Sequence, residues 1–175
     1  MNLALKELKT ENLILRKIEN QDYDFMKHYL SDVERTRFLP LEKPYPDDKV
    51  EEWVSNRLKH WQKNHFGTYI VQTIMSKYTI GFCGLEYAGD TDLVDIRYGL
   101  TQEVWGKGYA CEAAMRVVGY GFKNLDLKTI YGAAVSENRP SIHILKKLGM
   151  TPNPEFSYYG NVVEPYSISK IDFLK

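Results

Sequence analysis

The stretch Trp105-Gly106-Lys107-Gly108-Tyr109-Ala110 decides how this 175-residue chain is read. It follows a strand-like run, Asp92–Leu100, and opens a helix-like one, Gly108–Lys123. In the latter, apolar or small residues recur at 110, 113, 114, 117, 118, 121 and 122, a flat face suited to lying against a sheet. Glycine lets the backbone come close to a ligand, and the first N–H groups of a helix have no intrahelical partner. With the positive end of the helix dipole, they make an anion site suited to a pyrophosphate. An ordinary strand-to-helix turn accounts for two glycines equally well. Two other phosphate motifs fail. A P-loop needs Gly-x4-Gly-Lys-Ser/Thr, and here Thr101 and Gly108 stand at its ends. A dinucleotide fingerprint needs a third glycine where Cys111 stands, with Glu137 as the acid on the next strand. It also needs parallel strands before the turn, so a nicotinamide oxidoreductase is the weaker reading.

Working outward, Leu13–Ile18 reads as a first strand and Gln21 to about Ser31 as a short helix. Three prolines within Phe38–Pro46, and two within Thr151–Glu155, mark loops, because proline lacks a backbone donor and restricts its predecessor. After Pro46, Asp47 or Asp48 is the expected cap of a helix carrying Val50, Trp53, Val54, Leu58 and Trp61 at spacings of three and four. Gly67–Ile74, Thr79–Tyr87 and Asp92–Leu100 are strand-like and joined by short turns, hence antiparallel neighbours. Thr129–Val135 is a further strand. Asn138 then caps a helix stopped by Gly149, and two last strands are expected over Phe156–Tyr159 and Val163–Phe173. The expected fold is α/β (α+β): a mixed, mostly antiparallel sheet of about six or seven strands, flanked by about four helices.

Composition sets outer limits. At about 150 residues per domain the chain makes one domain, residues 1–175, with 43% apolar residues for its core. Lys plus Arg and Asp plus Glu are 23 each, so nucleic acid is not an expected partner. No apolar run approaches the ~18 residues of a membrane span, and no secretory signal is evident, so a cytoplasmic protein off the membrane is expected. Cys83 and Cys111 fit no metal-ligand spacing, and His28, His60, His65 and His143 form no cluster, so no metal is expected.

A second stretch, Val135 to Gly149, is explained structurally by Asn138 as cap, Pro140 in the first turn and Lys146 and Lys147 at the C-terminal dipole. Taken with the glycine turn, however, it resembles the GNAT superfamily of N-acetyltransferases, and within it the ribosomal-protein N-acetyltransferase-like branch. Thr10-Glu-Asn-Leu-Ile-Leu-Arg16 resembles the branch's opening strand and Ile80-Gly-Phe-Cys-Gly-Leu85 its third. Asp95-Ile-Arg-Tyr-Gly-Leu100 followed by Trp105-Gly-Lys-Gly-Tyr-Ala-Cys-Glu-Ala113 is a more specific pairing. Asn138-Arg-Pro-Ser141 with Lys147-Leu-Gly-Met150 completes it. Trp105 departs from the wider family's Gln/Arg at that position, which removes one polar side chain from the turn.

The resemblance implies an acetyl-CoA-dependent transfer to a primary amine by direct attack. The acceptor would be a protein N-terminus, a polyamine or an antibiotic-like small molecule, and the protein a monomer or homodimer. The cofactor would lie in a splay between parallel strands Asp92–Leu100 and Thr129–Val135. Trp105, Gly106, Lys107, Gly108, Tyr109 and Ala110 would hold its pyrophosphate, with the Lys107 side chain equally at home in solvent. The backbone at Tyr98 and Leu100 would pair with the pantetheine arm, Asn138 would touch it, and an N–H near Leu100 would face the developing oxyanion. Asp95 and Glu86 are the candidate bases, although Asp95, on one strand face with Arg97, equally suits a salt bridge. Ser141, or a Tyr, is the candidate acid, and a serine packed against the sheet accounts for Ser141 equally well. Glu112 suits the helix dipole, Cys111 fills space, and Trp53 and Trp61 suit a buried stripe as well as an acceptor cover. A CoA-binding sensor without turnover is the alternative function.

Overall fold

In a computed structural model, residues 5–156 and 162–175 are described. One sheet of eight strands runs in the order β1-β2-β3-β4-β5-β6-β8-β7. Its strands are β1 (Glu7–Lys9), β2 (Leu13–Lys17), β3 (Thr68–Thr73), β4 (Thr79–Tyr87), β5 (Val94–Leu100), β6 (Thr129–Ala134), β7 (Thr151–Pro152) and β8 (Glu164–Ser169). Every neighbouring pair is antiparallel except β5 and β6, which are parallel and connected through a helix. Parallel neighbours need such a crossover, whereas the short turns before β5 allow only hairpins. β1 and β7 have no counterpart in the sequence reading because they are three and two residues long, too short for alternation to reveal.

The four longer helices are α1 (Tyr23–Leu30), α3 (Asp47–Asn64), α4 (Tyr109–Asn124) and α5 (Arg139–Lys147). Two one-turn helices, α2 (Val33–Thr36) and α6 (Lys170–Phe173), also occur among the described residues. Helix α3 starts one residue earlier than its acids suggested. Pro46 is the cap, in extended conformation, and Asp47 and Asp48 lie in the first turn, where their charges favour the dipole. The last strand is also shorter than expected. It stops at Ser169, whose hydroxyl accepts from the Asp172 N–H and turns the chain into α6. The strand expected over Phe156–Tyr159 falls, beyond Phe156, outside the described residues.

Packing follows the two faces of the sheet. Helix α4 lies close against β4, and Gly121 is the reason. A Cβ there would come within 2.6 Å of Leu85 and 2.9 Å of Ile130. On the other face Trp53 stands edge-on to Phe82 at 5.1 Å, and Phe82 to Tyr29 at 5.5 Å, tying α3 and α1 to β4. Trp61 is also buried there, its indole N–H donating to the Thr68 carbonyl at 2.7 Å. Both tryptophans therefore sit in the buried stripe. No helix among the described residues is long and apolar enough to cross a membrane.

Candidate active site

The parallel pair β5–β6 meets at a single register position, Asp95 opposite Tyr131. Beyond it β5 continues for five residues, Ile96 to Leu100, with no further register position shared with β6. Ladder parity fixes which groups face the gap. The Thr101 N–H donates to the Ile80 carbonyl at 2.8 Å, and Gly99, Arg97 and Asp95 stand opposite Phe82, Gly84 and Glu86. Alternate residues of a strand direct their N–H and C=O to the same neighbour. Those of Ile96, Tyr98 and Leu100 therefore point away from β4; Ile96 adjoins the Asp95–Tyr131 bridge, while Tyr98 and Leu100 face the fork. Tyr98 and Leu100 are the residues expected from the sequence to pair with an extended ligand.

At the mouth of the fork the chain turns through a short 3-10 segment, Gln102–Val104, into the glycine turn. Gly106 and Gly108 have φ of 77° and 80°, the left-handed region that glycine enters at least cost. A Cβ on either would meet nothing within 4 Å, so both face open space. Gly108 is the cap of α4 and brings no side chain to it. The first intrahelical bond runs from Glu112 N–H to the Gly108 carbonyl, which leaves the N–H groups of Tyr109, Ala110 and Cys111 directed at the same open space. This is a cradle a pyrophosphate fits.

The side chains around the turn divide between bracing and exposure. Trp105 is half exposed, and its indole N–H donates to the Leu100 carbonyl at 2.8 Å. Lys107 is exposed and makes no ion pair among the described residues. Glu112 accepts from the Thr10 hydroxyl and from the Asn12 N–H and amide, tying the β1–β2 turn to α4. Burial raises its pKa, but those hydrogen bonds outweigh it and hold the carboxyl below its ordinary range. Cys111 is partly buried and Cys83 fully so, where burial pushes the thiol up.

Asp95 and Glu86 face each other across β4 and β5, both buried. They form one charge cluster. Arg97 donates to Asp95 at 3.0 Å and to Glu86 at 2.7 Å, and the Thr68 hydroxyl donates to Glu86 at 2.6 Å. Arg57, on α3, lies 3.8 Å from Glu86 and stacks on Trp53 at 3.9 Å. Burial favours the protonated form of Glu86, yet Arg57, Arg97 and Thr68 reverse that and hold its pKa below the usual carboxylate range. Sequence reading missed Arg57 and Thr68. The four-residue step from Trp53 to Arg57 was the available signal, since it puts arginine and indole on one helix face.

On the α5 side of the fork, Asn138 caps its helix by accepting from the Ser141 N–H at 3.3 Å. The Tyr98 hydroxyl lies 3.0 Å from Ser141 Oγ and donates to the Ser141 carbonyl at 3.1 Å. Burial pushes the Tyr98 phenol well above its ordinary pKa, against the pull of the Ser141 hydrogen bond. Ser141, Asn138 and Tyr98 are thus brought together, while Asp95 and Glu86 lie on the opposite sheet face. Among the described residues no three His, Cys, Asp or Glu side chains converge as a metal site.

Comparison with known proteins agrees with this geometry. Residues 12–151 match the family described as Acetyltransferase (GNAT) domain. A Bacillus licheniformis protein named uncharacterized N-acetyltransferase p20 is 30% identical over 94% of this chain and 96% of its own. Spermidine N(1)-acetyltransferase of Escherichia coli is 34% identical over 43% of this chain and 46% of its own. An acetyltransferase from Agrobacterium tumefaciens superposes with a TM-score of 0.86 at 21% identity, covering 96% of each chain. This chain belongs to the GNAT acetyltransferase family. It is an N-acetyltransferase with the mixed α/β fold of that family, and acetyl-CoA is its acetyl donor.

Proposed function

We propose that the protein moves the acetyl group of acetyl-CoA to a primary amine, by direct attack with both substrates bound. The observation that carries this reading is the fork, into which the backbone groups of Tyr98 and Leu100 point from beside the Gly106–Gly108 cradle. In this reading the pantetheine arm extends the ladder along β5 and the pyrophosphate rests on the first N–H groups of α4. Asn138 touches the cofactor arm and Lys107 adds charge at the cradle. The Leu100 N–H faces the oxyanion that develops on the acetyl carbonyl. Ser141 meets the departing sulfur. Asp95, beside the last point at which β5 and β6 pair, is the carboxylate that takes the acceptor's proton, directly or through water, with Glu86 holding Arg97 in place.

A polyamine is the first acceptor to test, on the strength of the spermidine N(1)-acetyltransferase relative. A protein N-terminal amine is the second, since the motifs also resemble the ribosomal-protein branch. The purified protein is incubated with acetyl-CoA and polyamines, peptides and aminoglycosides while free thiol is followed. Thiol release that depends on one amine class supports the transfer. Tight CoA binding without thiol release across the panel supports a CoA sensor instead, a reading favoured by the ion pairing of both candidate carboxylates. Asp95→Asn should remove the acid limb of the pH–rate profile. An unchanged profile would sink its role as base.

A further inference from the structure

The contact between Tyr98 and Ser141 has two possible proton arrangements. Tyr98 Oη lies 3.1 Å from the Ser141 carbonyl oxygen and 3.0 Å from Ser141 Oγ. A carbonyl oxygen only accepts, whereas each hydroxyl has one proton to give and lone pairs to accept with. In the first arrangement the phenol donates to the carbonyl, and the Ser141 hydroxyl donates to the phenol oxygen. The serine proton is then held against Tyr98. In the second, the phenol turns its proton onto Ser141 Oγ, and the serine proton is released toward the fork. The two differ by rotation about two C–O bonds, with no heavy atom displaced. Asn138 holds the Ser141 N–H in both, so the serine backbone has no need to follow.

We infer that Tyr98, through its side chain, is a positioning residue that turns and polarises the Ser141 hydroxyl toward the leaving sulfur, on the reading that this site transfers acetyl groups. During transfer, the acceptor nitrogen bonds to the acetyl carbon, the carbon–sulfur bond breaks, and sulfur leaves with the bonding pair. The acceptor nitrogen sheds one proton to base and solvent, and one proton returns from solvent to sulfur, so amine and thioester become amide and thiol. Tyr98 and Ser141 neither gain nor lose a proton. They switch from the first arrangement to the second as charge grows on sulfur, and the chain Tyr98 O–H to Ser141 O–H to sulfur is strengthened because each bond polarises the next. The buried phenol keeps its proton across the neutral range and so remains a donor throughout.

Tyr98→Phe removes Oη alone and keeps the ring. It should lower kcat about tenfold, the worth of one such hydrogen bond, with KM for acetyl-CoA unchanged. With an acetyl thioester of an acidic aromatic thiol, whose sulfur leaves without help, the loss should shrink below about twofold. The pair Tyr98→Phe with Ser141→Ala should be no slower than Ser141→Ala alone. A readout independent of turnover is the pKa of the CoA thiol when bound, followed by thiolate absorbance. Tyr98→Phe should raise it by about one unit, the equivalent of a tenfold loss. Equal losses with both thioesters, additive variants, or an unmoved thiol pKa would each overturn the assignment. If the unmodified protein binds CoA yet acetylates no amine, the transfer reading fails, and the bound-thiol measurement alone decides the role of Tyr98.

Discussion

The Trp105 indole N–H donates to the Leu100 carbonyl at 2.8 Å, so the last residue of β5 and the first of the glycine turn are held together by a side chain. That carbonyl points into the fork and would otherwise stand open there. Trp105 thus serves the turn as a brace.

Trp105→Phe should cost about 1 kcal/mol of stability, the net value of one hydrogen bond, and weaken CoA binding several-fold. Of the three tryptophans, Trp53 and Trp61 are buried, so Trp105 should account for the fluorescence change on CoA binding. Calorimetry and fluorescence titration check both. A CoA-dependent signal that persists in Trp105→Phe contradicts the placement.

Gly108 at φ 80° has free space where a side chain would sit. Gly108→Ala should therefore fold, at a cost of about 1–2 kcal/mol for the left-handed backbone. Gly108→Val adds bulk inside the cradle and should lower CoA affinity more than about a hundredfold. Normal affinity in a folded Gly108→Val protein would remove the pyrophosphate from this turn.

Glu86→Gln leaves Arg57 and part of Arg97 uncompensated in a buried setting and should destabilise by about 3 kcal/mol. The folded pKa of Glu86 is depressed, so its contribution is present above the ordinary carboxylate value of 4.5 and lost as pH falls through the folded one. Urea unfolding of both proteins from pH 7 to pH 3 should show the variant's deficit closing on the acid side. A constant deficit would deny Glu86 its ionic role.

His60 takes the Tyr87 N–H on Nε2 at 3.1 Å and offers Nδ1 to the Phe66 carbonyl at 2.8 Å, an arrangement open only to the neutral ring. Burial lowers its pKa in the folded protein. As pH falls below the ordinary value of 6.5 the unfolded chain takes the proton first, so stability declines from there until the folded pKa is passed. His60→Gln should flatten the decline between pH 6.5 and 5.5 in denaturant unfolding. Equal slopes for the two proteins would assign that decline elsewhere.

Local chemistry made most of this architecture legible. The capping role of Asn138, the antiparallel run from β3 to β5 and the glycine turn all depend on residues close in sequence. Their physics is contained in short windows. The charge cluster was not legible in the same way. Glu86 and Asp95 stood out as lone carboxylates on strands, and only the pairing of β4 with β5, and α3 laid across them, brings Arg57, Arg97 and Thr68 within reach. Tyr98 was read for its backbone alone. Its hydroxyl acquires a partner forty-three residues away only when β5 and α5 flank the same gap. The final strand is shorter than its apolar residues out to Phe173 suggest, because Ser169 acts as a cap and turns the chain into α6.

The single register position shared by β5 and β6 has a consequence for how stability is distributed. Past Asp95, amides such as those of Tyr98 and Leu100 belong to a core strand on one edge and to solvent on the other. They should exchange hydrogen with deuterium far faster than the Arg97 and Gly99 amides beside them, which are held by β4. If, as proposed, the pantetheine arm lies along β5, it closes that edge, and the sheet would reach its full width only when loaded. Donor binding and local folding would then be one equilibrium, and the Tyr98 and Leu100 amides its natural reporters.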